Sequence, residues 1–287
     1  MPIPLPLYSV LPFVAMLLAI ALLPLALPHW WDSNRNKLLV SAGLGLPVLL
    51  LYLARAPRVL AHTAGDYASF IVLLAGLYVI AGGILLRGDL EATPLVNSAF
   101  LAAGAALASF IGTTGASMLI IRALLQTNQE RERVTHTVVF FIFLVSNIGG
   151  MLTPLGDPPL FLGYLAGVPF AWTLRLWRPW LTMILVLLVV YFVWDTIQHR
   201  RESRAALRRD HTRIEPLRID GGLNGLWLVG VVAAVAVLHA PLRELAILGL
   251  AGISLWCTPR PLRRANQPTS SPRSRWWKWR CSSSASS

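Results

Sequence analysis

The sequence predicts an all-α fold, a polytopic membrane helix bundle, and three observations carry that prediction. Apolar residues make up 55% of the chain and charged residues only 13%, whereas a soluble domain carries roughly 25% charged residues. Mean hydropathy is positive, at +0.61. Apolar runs then recur along the chain at residues 7–27, 38–53, 67–86, 181–194, 223–238 and 242–257. Crossing a hydrocarbon core takes roughly 20 helical residues, so the short second run has to borrow from its flanks or sit in thinned bilayer. Finally, two further apolar regions, 97–125 and 134–168, are interrupted by glycine, proline and hydroxyl residues that an ordinary spanning helix avoids.

A length of 287 residues fits one bundle in one membrane domain better than two soluble domains. The net charge of +12 resides in short loops and in the tail, which suits anionic lipid headgroups and the positive-inside rule. No nucleic-acid-binding module is present, so nucleic acid is excluded as a partner. Cys257 and Cys281 give neither metal-ligand spacing nor a disulfide framework. The first run is long enough to span and lacks a basic leader, so no cleavable signal is expected. Trp30 and Trp31 suit an interface, while His62 and Asp66 are expected in a solvated loop before the third span.

The first interrupted region has a small-residue arm at 97–111, a tip Gly-Thr-Thr-Gly-Ala-Ser at 112–117 and a second arm at 118–125. Neither arm spans alone, so a re-entrant hairpin is expected, with its tip near the midplane. Thr113, Thr114 and Ser117 would offer hydroxyls to a hard cation, and the tip amides could equally meet an anion. A single continuous span is the alternative. After a polar connector, 126–133, comes Ser-Asn-Ile-Gly-Gly-Met-Leu-Thr-Pro-Leu-Gly-Asp-Pro-Pro at 146–159, between apolar runs 134–145 and 160–168. Unwound backbone at membrane depth is tolerated only where it is buried in protein or lines a cavity, which marks this stretch as half of a transport site.

The longest polar loop, 195–222, carries seven arginines and is placed in the cytoplasm. Counting back, the connector and residues 87–93 share that side, and the amino terminus lies outside. Arg35 and Lys37 agree with this topology; Arg55 and Arg58 do not.

The Gly112–Ser117 tip, followed by Ser-Asn-Ile-Gly-Gly and Thr-Pro-Leu-Gly-Asp-Pro-Pro, resembles the NhaD-type sodium/proton antiporters. These belong to a superfamily that also holds arsenite pumps and citrate or dicarboxylate carriers. The resemblance covers roughly residues 7–257. It implies an inverted repeat, each half supplying a hairpin and a broken helix whose tips meet at the ion site. Carried over, Thr113, Thr114 and Ser117 match the hairpin tip, and Ser146, Asn147, Thr153, Gly156 and Asp157 match the broken helix. It also implies transported Na⁺ and H⁺, no catalytic residues, no cofactor and no resident metal. The lipid bilayer, small inorganic cations and a homodimer are the implied partners, in a bacterial inner membrane.

Independently of the resemblance, Asp157 stands out among thirteen carboxylates. The other twelve are expected in loops or near the ends of apolar runs, and an ionisable group in mid-crossing is a functional candidate by default. Na⁺ and H⁺ would compete for it. The alternative is a capping role, because Asp-Pro-Pro is also a helix-start signature. His136 and His239 could relay protons or simply pack.

The expected domains are a membrane domain, 1–257, and a disordered basic tail, 258–287. Within the first fall repeat one (1–195), the loop (196–222) and the start of repeat two (223–257). The tail's Ser and Trp codons, shifted one base back, encode apolar residues, so the tail is expected to be out of frame. No counterpart of either motif follows Trp194. Three functions are therefore expected: Na⁺/H⁺ exchange, organic-anion or oxyanion carriage, or a non-transporting truncated remnant.

Overall fold

Proline and glycine set where the helices start and stop. In the computed structural model, which describes residues 7–203 and 215–266, the chain divides into two compact units, Met1–Ala68 and Ser69–Ser287. In the first, a 3₁₀ turn at Leu7–Val10 leads into α1 (Leu11–Ala26), which ends before Pro28. A short α2 (Pro28–Trp31) and α3 (Asn34–Arg55) follow. At 22 residues, α3 extends the short second run into its flanks and reaches about 33 Å, enough to cross. Within this unit neither α1 nor α3 buries any residue.

The next helix, α4 (Pro57–Ala81), starts ten residues before the expected third span. His62 and Asp66 are therefore on a helix rather than in a loop, joined one turn apart with Nδ1 to Oδ2 at 3.0 Å. Hydropathy located the apolar part of the helix, but Pro57 at its first turn locates its start.

The second unit contains the later half of α4, β1 (Leu85–Asp89), α5 (Pro94–Thr127), α6 (Thr135–Leu144), α7 (Pro158–Leu165) and α8 (Trp177–Arg200). Then come β2 (Glu215–Asp220), α9 (Leu223–Val237), α10 (Leu242–Cys257) and α11 (Arg260–Asn266). Its core is continuous, with Leu73, Ile80, Leu101, Leu144, Tyr191 and Val231 among its most buried members.

Drawn straight, α5 would be about 51 Å long, far beyond the roughly 30 Å of the hydrocarbon core, with Asn97 and Asn128 about 46 Å apart. Instead their side-chain amides exchange hydrogen bonds of 2.9 and 2.7 Å. The reversal is at Gly112, whose φ of 77° and ψ of 151° lie outside the helical region and are open mainly to glycine. The element is a helical hairpin with both feet together, and the single-span alternative fails. The turn is sharper than expected: the helix resumes at once, so Thr113, Thr114 and Ser117 occupy the first turns of the second arm.

Between α6 and α7 the helix is broken at residues 145–157, which hold a 3₁₀ segment, Ile148–Leu152. Thr153, Pro154 and the glycines stop regular winding, and Pro158 and Pro159 restart it in the first turn of α7. The expected loop from Asp195 is helical as far as Arg200, because Thr, Gln, His and Arg carry only small helix penalties.

A two-stranded ribbon departs from a purely helical expectation. Strands β1 and β2 pair antiparallel, Leu85 opposite Asp220 and Arg87 opposite Arg218, and Arg87 Nε meets Asp220 Oδ2 at 3.1 Å. Local periodicity could not show it, because the partners are far apart in sequence. Four of the loop's arginines, and the tail from residue 267 expected to be disordered and out of frame, lie outside the described residues. Of the expected disordered tail, 258–287, the part Arg260–Asn266 is instead helical, as α11, where Arg263 donates to Val79 O at 2.6 Å and to Ser254 Oγ at 2.8 Å. Among the described residues five helical stretches are long and apolar enough to cross a membrane. The protein is an integral, multi-pass membrane helix bundle.

Candidate functional site

The hairpin tip and the break between α6 and α7 meet, backbone on backbone. Thr113 N donates to Gly156 O at 3.1 Å. Ser109 Oγ, one turn before the reversal, donates to Gly149 O, and Thr153 Oγ1 donates to Ser109 O. Glycine makes this approach possible. A β-carbon on Gly156 would overlap Gly150 O, and one on Gly150 would lie 2.6 Å from the Thr113 methyl. From the other side Trp180 Nε1 of α8 donates to Ile148 O at 3.1 Å, fixing the 3₁₀ segment.

Of the eight residues expected to form the ion site, the structure joins several directly. Ser117 Oγ and Ser146 Oγ are 2.9 Å apart, a hydroxyl pair bridging hairpin and break. Thr113 and Gly156 share the backbone bond just given. Thr153 is buried and its hydroxyl is committed to the hairpin, also accepting from Leu155 N at 3.3 Å. Two residues point elsewhere. Thr114 is exposed, and Asn147 turns its amide back to Ile142 O at 2.8 Å, closing the end of α6.

Asp157 sits at the N-cap position of α7 with extended backbone, φ −138° and ψ 133°, but its side chain makes no capping bond. The α7 amides of Leu160 and Phe161 instead reach its carbonyl, at 3.1 and 3.3 Å. Its half-buried carboxylate has no hydrogen-bond or ion-pair partner among the described residues. Several backbone donors of this stretch are withheld. Pro154, Pro158 and Pro159 lack an N–H, and the amides of Thr113, Gly150 and Gly156 are already bonded to carbonyls. A carboxylate left without a protein partner is the kind of oxygen ligand that a hard cation takes.

Sequence reasoning missed Ser109, although Ser109, Thr113 and Ser117 recur at helical four-residue spacing. It also missed a buried polar cluster at the hairpin's feet. Asp195, fully buried, accepts from Arg131 at 2.7 and 3.1 Å, pairs with His136 Nε2 at 2.8 Å and accepts from Asn97 Nδ2 at 3.3 Å. Glu202 accepts from the backbone amides of Glu132 and Arg133 at 3.1 and 3.0 Å. His136, considered as a proton relay, stacks on Tyr191 with centroids 5.9 Å apart, and His239 is exposed. The available signal was a charged connector, 126–133, together with an acid, Asp195, directly after the apolar run 181–194.

A helical hairpin locked against a discontinuous helix, inside a bundle of apolar helices, defines a membrane protein built around unwound backbone, the architecture of a transporter. Residues 3–274 match the model of a family described as "Putative citrate transport". The chain belongs to that family and is a multi-pass membrane transporter. No curated protein and no solved structure matches it. The match supports the wider group of ion and citrate transporters without singling out the NhaD-type antiporters within it.

Proposed function

We propose that this chain is a secondary transporter that binds a coupling cation, Na⁺ or H⁺, at Asp157, and that its cargo is a citrate-class carboxylate. The observation that carries this reading is the lone, half-buried carboxylate where the hairpin tip meets the broken helix. An unbalanced charge at that depth is costly until a cation or proton neutralises it. Citrate carries the same sign as Asp157, so the two can occupy neighbouring sites only with a cation between them. Coupled entry of cation and carboxylate follows from that repulsion, and the family description supports the carboxylate.

The second reading is exchange of Na⁺ or Li⁺ for H⁺, with the cation itself as cargo. The three prolines of the break, which withhold amide donors, support it. One experiment separates the two. The full chain is reconstituted in vesicles holding a pH dye and given Na⁺, Li⁺ or labelled citrate. Citrate uptake that needs an inward Na⁺ or H⁺ gradient supports the first reading; proton movement on adding Na⁺ or Li⁺ alone supports the second. In either case Asp157→Asn is expected to abolish coupled flux, and undiminished flux in that variant would sink the role of Asp157.

A further inference from the structure

We infer that Asp195, at the opposite end of the hairpin from Asp157, is a positioning residue that sets the register of the hairpin tip against the broken helix. The inference rests on the cation-site reading above for its transport consequences, but not for its geometry. One carboxylate ties four segments. Asn97 belongs to the first hairpin foot, and Arg131 lies just beyond the second. His136 is in the first turn of α6, and Asp195 itself lies near the end of α8. The two feet are also clasped to each other through Asn97 and Asn128, and Arg131 Nη1 reaches Asn128 Oδ1 at 3.4 Å. Glu202, 3.7 Å from Arg131 Nε, and the connector amides complete the cluster. Asn97, Asn128, Arg131, Asp195 and Glu202 are all buried.

The elements that build the transport site start from this anchor. The first hairpin arm runs from Asn97 to the reversal at Gly112, about 22 Å of stiff helix. The second returns from Thr113 to the same foot. From His136, α6 runs to the break at Ser146. A helix transmits an axial displacement of its foot to its tip, so a slip of about 1 Å at Asp195 arrives as about 1 Å between Ser117 and Ser146. Their 2.9 Å contact does not survive that, since hydrogen bonds weaken steeply beyond normal length. A charge buried among four segments is suited to this task, because its hydrogen bonds specify one arrangement where apolar packing would accept several.

The test uses the full chain with Cys257 and Cys281 replaced by serine and Ser117→Cys with Ser146→Cys introduced. Cross-linking of the pair by an added oxidant is then followed with and without a change at Asp195. The expected result is a rate at least tenfold lower in Asp195→Asn, partly restored in Asp195→Glu, which keeps the charge. If Asp195→Asn does not insert, His136→Gln, which retains a hydrogen-bonding amide, is expected to lower the rate several-fold. In vesicles, with the two serines intact, the same Asp195 and His136 variants are expected to raise the half-saturating cation concentration about tenfold. A merely structural defect would lower only the maximum rate. Equal cross-linking rates in every inserted variant overturn the inference. If the cysteine pair cross-links as expected but the chain with both serines intact carries no Na⁺-, H⁺- or citrate-dependent flux, the positioning role stands and the transport reading is refuted instead.

Discussion

At Gly149 a β-carbon would stand 2.8 Å from Ala105 Cα, Ala105 O and Leu144 O. All three are backbone atoms, which cannot rotate away as a flexible side chain would. Gly149→Ala is therefore expected to cost about 1–3 kcal/mol, the usual range for overpacking, and to lower the thermal unfolding midpoint in detergent. Gly163, in α7, has nothing within 4 Å of the same position. There, alanine is expected to stabilise by about 0.5–1 kcal/mol through helix preference alone, and a fall in the midpoint would contradict that account. The residue scale is also where sequence and structure part most clearly. Asp157 was visible because prolines and glycines isolate it inside an apolar stretch. Asp195 was not, because hydropathy ends at Trp194 whereas the helix continues six residues further. Its partners come from 59 to 98 positions away, and no local pattern encodes that.

Among the elements, the hairpin was legible from two short arms of small residues around a polar tip. Its exact turn was not, because six tip residues share the composition and only Gly112 takes the positive φ. The clasp at its feet makes a separate prediction. Asn97→Ala would leave both polar atoms of the buried Asn128 side chain without their hairpin partner, at a cost of about 1–3 kcal/mol. The double replacement Asn97→Ala with Asn128→Ala is expected to cost less than the sum of the single changes, since each removes the other's orphan. Unfolding of the four species in one detergent checks it, and strict additivity would show that the two amides do not act as a pair. The broken helix was legible too, since three prolines and three glycines within residues 146–159 forbid continuous winding. The choice of a 3₁₀ segment at Ile148–Leu152 was not, because it depends on Trp180 and Ser109 contacts from other elements.

Taken whole, the molecule was predictable as a membrane bundle because composition and run length are global properties, averaged over many residues. Sidedness is a global property as well. Arg133, in the connector, bonds through its amide to Glu202 beyond the end of α8, and Arg218 lies on β2, paired with β1. Both arginine side chains are exposed. Arg133→Cys and Arg218→Cys, each in a chain otherwise free of cysteine, are expected to react with a membrane-impermeant maleimide from one and the same side of sealed vesicles. Labelling from opposite sides would break the shared placement of connector and ribbon.

The ribbon has a consequence for biogenesis. By the time β2 emerges during synthesis, β1 has long since been left behind at its face of the bilayer, with the hairpin, the broken helix and α8 threaded between them. The strands can zip only if those intervening segments have made an even number of crossings, as the topology expected from the sequence provides with a hairpin, one broken span and one full span. A chain that skips or inverts one crossing strands β2 on the wrong face, where the Arg87–Asp220 pair cannot form. Five residues of β1 and six of β2 are thereby expected to close only on a correctly threaded protein.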